Sequence, residues 1–136
     1  MTQYKVLNPE EIDYHWPEIA KFLEPVVDVS FGEVTLDGIY SRLINMQEIL
    51  LAVFESEKLT CACVLGITQF ETGKRVLQMP YVGGAGIETW LSDGFKVIRE
   101  IASSTGCTHI RGCGREGWGR VLPDLKRIRS IYECEV

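Results

Sequence analysis

The sequence predicts a layered α/β domain in which helices pack on a single sheet. Apolar residues recur at helical spacing in the first third of the chain, and runs rich in β-branched residues follow from Glu48 onwards. Helical spacing returns at Ile87, directly after a cluster of glycines. These changes of period predict the order β-α-α-β-β-β-α-β-α-β around one sheet.

The first predicted strand runs directly into a helix start signal. Residues Tyr4–Leu7 alternate in strand fashion, and Asn8-Pro9-Glu10-Glu11 combines an N-cap residue, a proline at the first helical position and two acids in the first turn. We therefore expect a helix from Pro9. Pro17 is expected to kink or divide it, because proline lacks the backbone N–H that an inner turn uses. The apolar positions of this helix are Ile12, Trp16, Ile19, Phe22 and Leu23.

A second helix is predicted after Thr35, since threonine is a preferred N-cap residue. Ile39, Leu43 and Met46 are spaced so that they share one face of this helix. Gly38 weakens it, because glycine costs about 1 kcal/mol relative to alanine in a helix interior.

A three-stranded antiparallel meander is predicted next. The runs Ile49–Glu55, Leu59–Phe70 and Lys74–Val82 are rich in β-branched and apolar residues. They are separated by Ser56-Glu57-Lys58 and by Glu71-Thr72-Gly73, which suit hairpin turns.

The last third of the chain is predicted to hold two helices and two strands. Helical spacing runs over Ile87–Ser103 and ends near Gly106. A short strand is predicted at Cys107–Gly112, a short helix at Trp118–Leu125 and a final strand at Ser130–Val136. We expect residues 1–136 to form one domain, since domains usually hold about 100–150 residues.

The composition is typical of a globular cytoplasmic protein. Of the 136 residues, 46% are hydrophobic and 24% are charged, with a formal net charge of -5. That much apolar material disfavours a disordered chain. No apolar stretch approaches the roughly 20 residues of a membrane span, and the N-terminus lacks the apolar run of a secretory signal. The acidic charge disfavours nucleic acid as a partner, because phosphate neutralisation needs clustered Lys and Arg.

The five cysteines are expected to be reduced thiols. They are odd in number and show no disulfide framework spacing. Cys61 and Cys63 lie two apart on a predicted strand, which places both on one face. With no second close pair, and with only two histidines in the chain, we expect these thiols to pack in the core and to bind no metal.

The later glycine cluster, Gly112-Cys113-Gly114-Arg115-Glu116-Gly117, matches the G-x-G-x-x-G pattern of dinucleotide-binding turns. It lies near the C-terminus with no complete βαβ unit after it, as a dinucleotide site would require. A tight turn between strand and helix is therefore the favoured interpretation.

The earlier cluster, Val82-Gly83-Gly84-Ala85-Gly86, lies between the third meander strand and the long helix at Ile87. Exposed backbone N–H groups and a helix N-terminus there favour an anion such as a pyrophosphate. The alternative is a loop that only reverses the chain direction.

The order of elements resembles the GNAT fold, that of the Gcn5-related N-acetyltransferases, over nearly the full chain. The marker of that family is [Gln/Arg]-x-x-Gly-x-[Gly/Ala], and the corresponding segment here is Tyr81-Val82-Gly83-Gly84-Ala85-Gly86. Gly84 and Gly86 match the two small positions, while Tyr81 replaces the polar residue. The resemblance implies a mixed, largely antiparallel sheet and an acetyl-CoA or coenzyme A site formed by Tyr81, Val82, Gly83, Gly84, Ala85 and Gly86.

The catalytic groups of the family are not matched. GNAT enzymes commonly carry a tyrosine on the helix after the fifth strand, and no tyrosine occurs between Arg115 and Leu125. A general base must accept a proton from an ammonium group, and Glu48, Glu55 and Glu88 are the candidates that the sequence offers. The catalytic residues therefore stay unassigned.

Two functions remain open at this stage. The first is an acyl-CoA-dependent N-acyltransferase. The second follows from the segment Gly112–Leu122, which is similar to that of small phage and prophage proteins with a GNAT-like fold, some of which act without catalysis as virion or accessory parts. That interpretation expects protein contacts, with itself or with other phage proteins, in the cytoplasm or the virion.

Charge is distributed unevenly along the chain. Five acids lie in the first predicted helix: Glu10, Glu11, Asp13, Glu18 and Glu24. Six basic residues lie in the last quarter: Arg111, Arg115, Arg120, Lys126, Arg127 and Arg129. This asymmetry is consistent with head-to-tail contact between copies, with binding of the adenosine 3′-phosphate of a cofactor, or with two solvated faces.

Overall fold

A computed structural model describes residues 1–113 and 122–136, without the side chains of Glu88 and Thr89. Within these residues one sheet forms in the order β1-β2-β3-β4-β5. Its strands are β1 (Thr2–Leu7), β2 (Ile49–Glu55), β3 (Lys58–Gln69), β4 (Arg75–Gly84) and β5 (His109–Gly112). The helices are α1 (Pro9–Asp28), α2 (Leu36–Ile44) and α3 (Ile87–Ser104). Strands β1 to β4 are antiparallel and β5 is parallel to β4, so the predicted mixed, largely antiparallel sheet is confirmed.

The start of α1 follows its sequence signals. Asn8 Oδ1 accepts from Glu11 N at 2.8 Å and Glu11 Oε1 accepts from Asn8 N at 3.1 Å, which forms a reciprocal capping box. Pro17 and Pro25 both lie inside α1, and the helix continues through them. The expectation that Pro17 divides the helix is therefore wrong, because packing of its apolar face against the sheet outweighs the lost hydrogen bonds.

Both faces of the sheet are covered. One apolar layer joins α3 to inward side chains of the central strands, including Leu51, Cys63 and Leu77. The other layer joins α1 and α2 to the alternate side chains, including Leu50 and Val64. Period-2 alternation along β2 and β3 therefore supplies both cores.

The hairpins of the meander form as predicted. Ser56 and Glu57 connect β2 to β3 with φ values of 49° and 68°. Two left-handed residues in a row are the geometry of the type I′ turn that suits the strand twist. Gly73, with φ of 92°, lies in the turn between β3 and β4.

Met46 does not share the buried face of α2. The helix ends at Ile44, Met46 has φ of 61°, and its side chain is 76% exposed. The chain leaves the helix two residues before Met46, because the cap at Asn45 closes it.

The C-terminal region differs from the prediction. Residues 130–136 belong to no helix or strand of this chain, so the predicted final strand is wrong for the single chain. Residues 118–121 of the predicted short helix lie outside the described part, and Leu122–Leu125 form a turn closed by Leu125 N and Leu122 O at 3.0 Å. No helix in the described part is long and apolar enough to cross a membrane.

Candidate functional site

The earlier glycine cluster lies where two strands part. Strand β5 pairs with β4 only from Val76 to Met79, where β5 ends at Gly112. Strand β4 continues beside β3 as far as Gly84. The edge of β4 that follows Met79 thus has no strand partner among the described residues. Pro80 stands where this pairing stops, and a residue without an N–H fits such an edge.

Two of the glycines are required by close backbone packing. A Cβ atom on Gly83 would lie 2.0 Å from the carbonyl oxygen of Phe22 in α1. Gly84 has φ of 127°, and a Cβ atom there would lie 2.3 Å from the carbonyl oxygen of Thr60. The helix and the neighbouring strand therefore explain these glycines without any ligand.

The link between β4 and α3, Ala85-Gly86, is not explained by close packing in the same way. Gly86 is the N-cap of α3 in the left-handed conformation, at φ 68° and ψ 26°, and no side chain caps the helix. The amide groups of the first turn lack intrahelical partners and carry the positive end of the helix dipole. Ala85, which precedes Gly86, is exposed. An anion at this end of α3 would meet these groups.

Hydrogen bonds hold the link in place. Ala85 N donates to the Thr60 carbonyl at 3.0 Å, and the Cys61 thiol donates to the Ala85 carbonyl at 3.0 Å. Trp90 Nε1 in turn donates to Cys61 Sγ at 3.0 Å. The start of β3, the link Ala85-Gly86 and the first turns of α3 are thereby joined, so the loop is preorganised.

Acidic groups lie on one side of the link. Ala85 and Gly86 border a cavity of about 360 Å³ whose wall also includes Glu55 and Asp93. Burial first, and then the charges of Asp93 and Glu55, raise the pKa of Tyr4 in this wall. An anionic ligand is repelled from this side, so the open edge of β4 is the favourable approach.

A polar cluster on the α1–α2 side was not predicted from the sequence. Arg42 Nε donates to Glu48 Oε1 at 2.8 Å, with the two side chains 35% and 14% exposed. Tyr81 is half-buried beside them, and its pKa is raised by burial first and then by the charge of Glu48, while Arg42 opposes the shift. We call Arg42, Glu48 and Tyr81 the polar triad. No sequence spacing links its members, since they come from α2, the residue before β2, and β4.

The candidate bases are thus separated. Glu48 belongs to the polar triad beside β4. Glu55 lies at the other end of β2, about 23 Å along an extended chain, and its pKa is lowered by hydrogen bonding to Thr2 and to the terminal amine of Met1. The side chain of Glu88 lies outside the described part of the chain.

The remaining site predictions have mixed outcomes. Cys61 and Cys63 are fully buried, as predicted, in the apolar layer between α3 and the sheet, which we call the α3-side core. Burial raises the pKa of Cys63 to about 12. Within the described residues no three His, Cys, Asp or Glu side chains come together as metal ligands. Residues 114–117 of the later glycine cluster, and Trp118, lie outside the described part.

Comparison with known proteins places the fold. No protein-family model and no curated protein matches the chain. Among solved structures, a probable acetyltransferase superposes with a TM-score of 0.75 at 16% identity, covering 98% of this chain and 97% of that one. The chain has the GNAT fold.

Two further acetyltransferases agree with this assignment. The aminoglycoside acetyltransferase meta-AAC0020 from an uncultured soil metagenomic sample has a TM-score of 0.73 at 6% identity, with 99% and 96% of the two chains covered. The ribosomal-protein-alanine N-acetyltransferase of Brucella melitensis biovar Abortus 2308 has a TM-score of 0.67 at 12% identity, with 100% and 97% covered. At these identities the likeness between this GNAT-fold chain and its neighbours is one of fold.

Proposed function

We propose that this GNAT-fold chain is an N-acyltransferase that binds acetyl-CoA or coenzyme A beside Tyr81–Gly86. The observation that supports it best is the parting of β4 from β5 at Pro80, next to the N-terminus of α3, where the N-cap residue is a glycine in the left-handed conformation. A ligand in this opening would have a helix dipole at one end and the polar triad on the other face of the sheet. Acetyl-CoA, when bound, supplies an acetyl group as a thioester.

The chain's own groups divide into two roles in this proposal. Backbone amides of the first turn of α3, next to Ala85 and Gly86, hold the pyrophosphate, and the Val82 backbone holds the pantetheine arm. Glu48 accepts a proton from the acceptor ammonium, directly or through water, so that the free amine can attack the carbonyl carbon. Tyr81 is a phenol and is therefore protonated at neutral pH, and it offers a proton to the departing thiolate.

The binding step is tested by thermal unfolding with and without acetyl-CoA. A ligand at 100 times its Kd stabilises the native state by about 2.7 kcal/mol, which raises Tm by several degrees in a domain of this size. The test variant is Ala85→Glu, because Ala85 is exposed and the new carboxylate repels a pyrophosphate. Ala85→Gln is the matched neutral control. Gly84 is unsuitable, since any side chain there meets the Thr60 carbonyl.

The expected result is a rise in Tm for the parent and for Ala85→Gln, and none for Ala85→Glu. An equal rise in Tm for the parent and both variants would mean that acetyl-CoA does not bind at this loop. If the Tm of the parent does not rise with acetyl-CoA, the proposal of a coenzyme site is wrong, while the assignment of the GNAT fold still holds.

A non-catalytic role through protein contacts is the second candidate, in the manner of a phage or prophage virion or accessory protein. The observation that favours it is the exposure of large apolar side chains near the C-terminus, with Ile131 83% and Tyr132 91% exposed. Such side chains are typical of surfaces that another chain covers. Co-purification from the native host tests this candidate, and a chain that brings down no partner and stays monomeric counts against it.

A further inference from the structure

The C-terminal tail, defined as Lys126–Val136, is the largest exposed segment of the described chain. Every one of its eleven residues is exposed. The chain is last anchored just before the tail, where Leu122 is buried in the α3-side core and Asp124 pairs with Arg99 at 2.7 Å. Beyond that point the tail is in no helix or strand of its own chain.

The composition of the tail is that of a strand. Its centre, Ile131-Tyr132, combines a β-branched and an aromatic residue, and Ile128 and Val136 add further β-branched side chains. A strand-like segment that lies in no sheet of its own chain is a template for pairing with another chain.

The charges of the tail divide into two halves. The first half carries Lys126, Arg127 and Arg129, and the second half carries Glu133 and Glu135. Two such tails laid parallel oppose like charges, whereas two laid antiparallel oppose unlike charges. The tail is therefore complementary to a second copy of itself.

We propose that the C-terminal tails of two copies of this chain pair antiparallel about Ile131. In this register Arg129 faces Glu133 of the second copy, and Arg127 faces Glu135. The two-fold axis doubles each pair, which gives four opposite-charge pairs on one face of the ribbon. A shift of two residues in either direction breaks both kinds of pair and leaves only one kind of opposite-charge contact, Arg129 with Glu135 or Arg127 with Glu133, so the charges select this register.

The opposite face of the ribbon is mainly apolar. Ile128 faces Cys134 of the second copy, and Tyr132 faces Ser130. Arg127 already contacts Ser130 Oγ within its own chain, and a guanidinium with five donors can bond a carboxylate as well. A two-stranded ribbon alone is marginally stable, so we expect a reversible dimer that forms as the concentration rises.

A second copy fits the tail better than the chain's own sheet edge. The outer edge of β5 presents His109-Ile110-Arg111-Gly112, which has no acid to oppose the basic half of the tail. Arg111 there stacks over the ring of Phe70, 5.3 Å from its centroid. Charge complementarity therefore favours the tail of another copy.

The first test is charge reversal, read by analytical ultracentrifugation over a wide concentration range. Arg129→Glu and Glu133→Arg each put like charges opposite one another twice, and each is expected to weaken the dimer by about tenfold or more. The double variant restores opposite charges and should dimerise like the parent. A monomeric parent at every concentration, or single variants that dimerise as the parent does, would overturn the proposal.

The second test fixes the register by disulfide formation. Ile131→Cys is placed in a background of Cys113→Ser and Cys134→Ser, which removes the two exposed thiols. Residue 131 faces itself across the axis, so mild oxidation should give a covalent dimer. Ile128→Cys is the matched control, because residues 128 of the two copies lie about 20 Å apart in this register. Equal cross-linking at both positions, or at neither, contradicts it.

Discussion

The segment Tyr81–Gly86 and the C-terminal tail both contain strand-forming residues, but only the first is part of a sheet. Both place an aromatic residue and β-branched residues side by side, in Tyr81-Val82 and in Ile131-Tyr132. The first segment is strand and link, bonded to β3 and covered by α1. The second is exposed along its whole length. Strand propensity therefore becomes structure only where a neighbouring strand and a covering layer exist.

The largest expected effect is at Gly83. Gly83→Ala brings a Cβ atom to within 2.0 Å of the Phe22 carbonyl, so α1 must move away from β4. We expect the free energy of unfolding to fall by about 3 kcal/mol or more, measured by urea denaturation. Gly66→Ala is the control, because its Cβ would come no closer than 3.8 Å to another atom. Equal losses would show that α1 does not approach β4 this closely.

A smaller loss is expected from the polar triad. Arg42→Ala leaves the mostly buried Glu48 carboxylate without its guanidinium, and we expect a loss of about 1–2 kcal/mol. Glu48→Gln added to it should recover part of that loss, as a double-mutant cycle would show. Arg99→Ala, which breaks an exposed pair with Asp124, should cost less than about 1 kcal/mol. If Arg99→Ala lowers the free energy of unfolding more than Arg42→Ala does, burial is not the reason that the Arg42–Glu48 pair stabilises the fold.

The pH dependence of stability provides a finer test of Tyr81. Its pKa is raised above the ordinary 10.0, mainly by burial, so the folded state holds the phenol proton more tightly than the unfolded state. This contribution is full below pH 10 and is lost as the pH rises through the folded pKa. Tyr81→Phe should therefore flatten part of the decline in unfolding free energy above pH 10. If the slope of the unfolding free energy against pH stays the same in Tyr81→Phe, the Tyr81 hydroxyl is solvated in the folded state.

The smallest effect is expected from the tail. Truncation after Leu125 removes only exposed residues, so the unfolding free energy of the dilute, monomeric chain should change by no more than about 0.5 kcal/mol. Leu122→Ala, at a buried position, should cost about 2 kcal/mol or more in the same urea titration. A large loss on truncation would mean that the tail packs on its own domain.

Sequence reasoning succeeded where the signals are local. The Asn8 cap, the Thr35 cap and the two-residue turn at Ser56-Glu57 each depend on residues within four positions of one another. The spacing of apolar residues likewise predicted the meander and α3. These features, together with the glycine segment, carried the resemblance to the GNAT fold.

Sequence reasoning failed where the deciding contact is distant. The members of the polar triad, Arg42, Glu48 and Tyr81, come from distant parts of the chain, and no spacing in the sequence predicts that they meet. The close approach of Phe22 to Gly83 and of Thr60 to Gly84 was not predicted either, and it requires glycine at both positions whether or not a phosphate binds there. The final strand was predicted from composition, which does not report whether a partner strand is present.

The sequence by itself determined the order of helices and strands from β1 to β5, the caps of α1 and α2, the resemblance to the GNAT fold and the burial of Cys61 and Cys63. Only the tertiary structure decided which glycines are structural, which carboxylate meets Tyr81, and that the tail is exposed. The physical reason is the range of the interactions. Caps, turns and periodicity act over a few residues of chain, whereas close packing, desolvation and strand pairing depend on residues that the fold brings together.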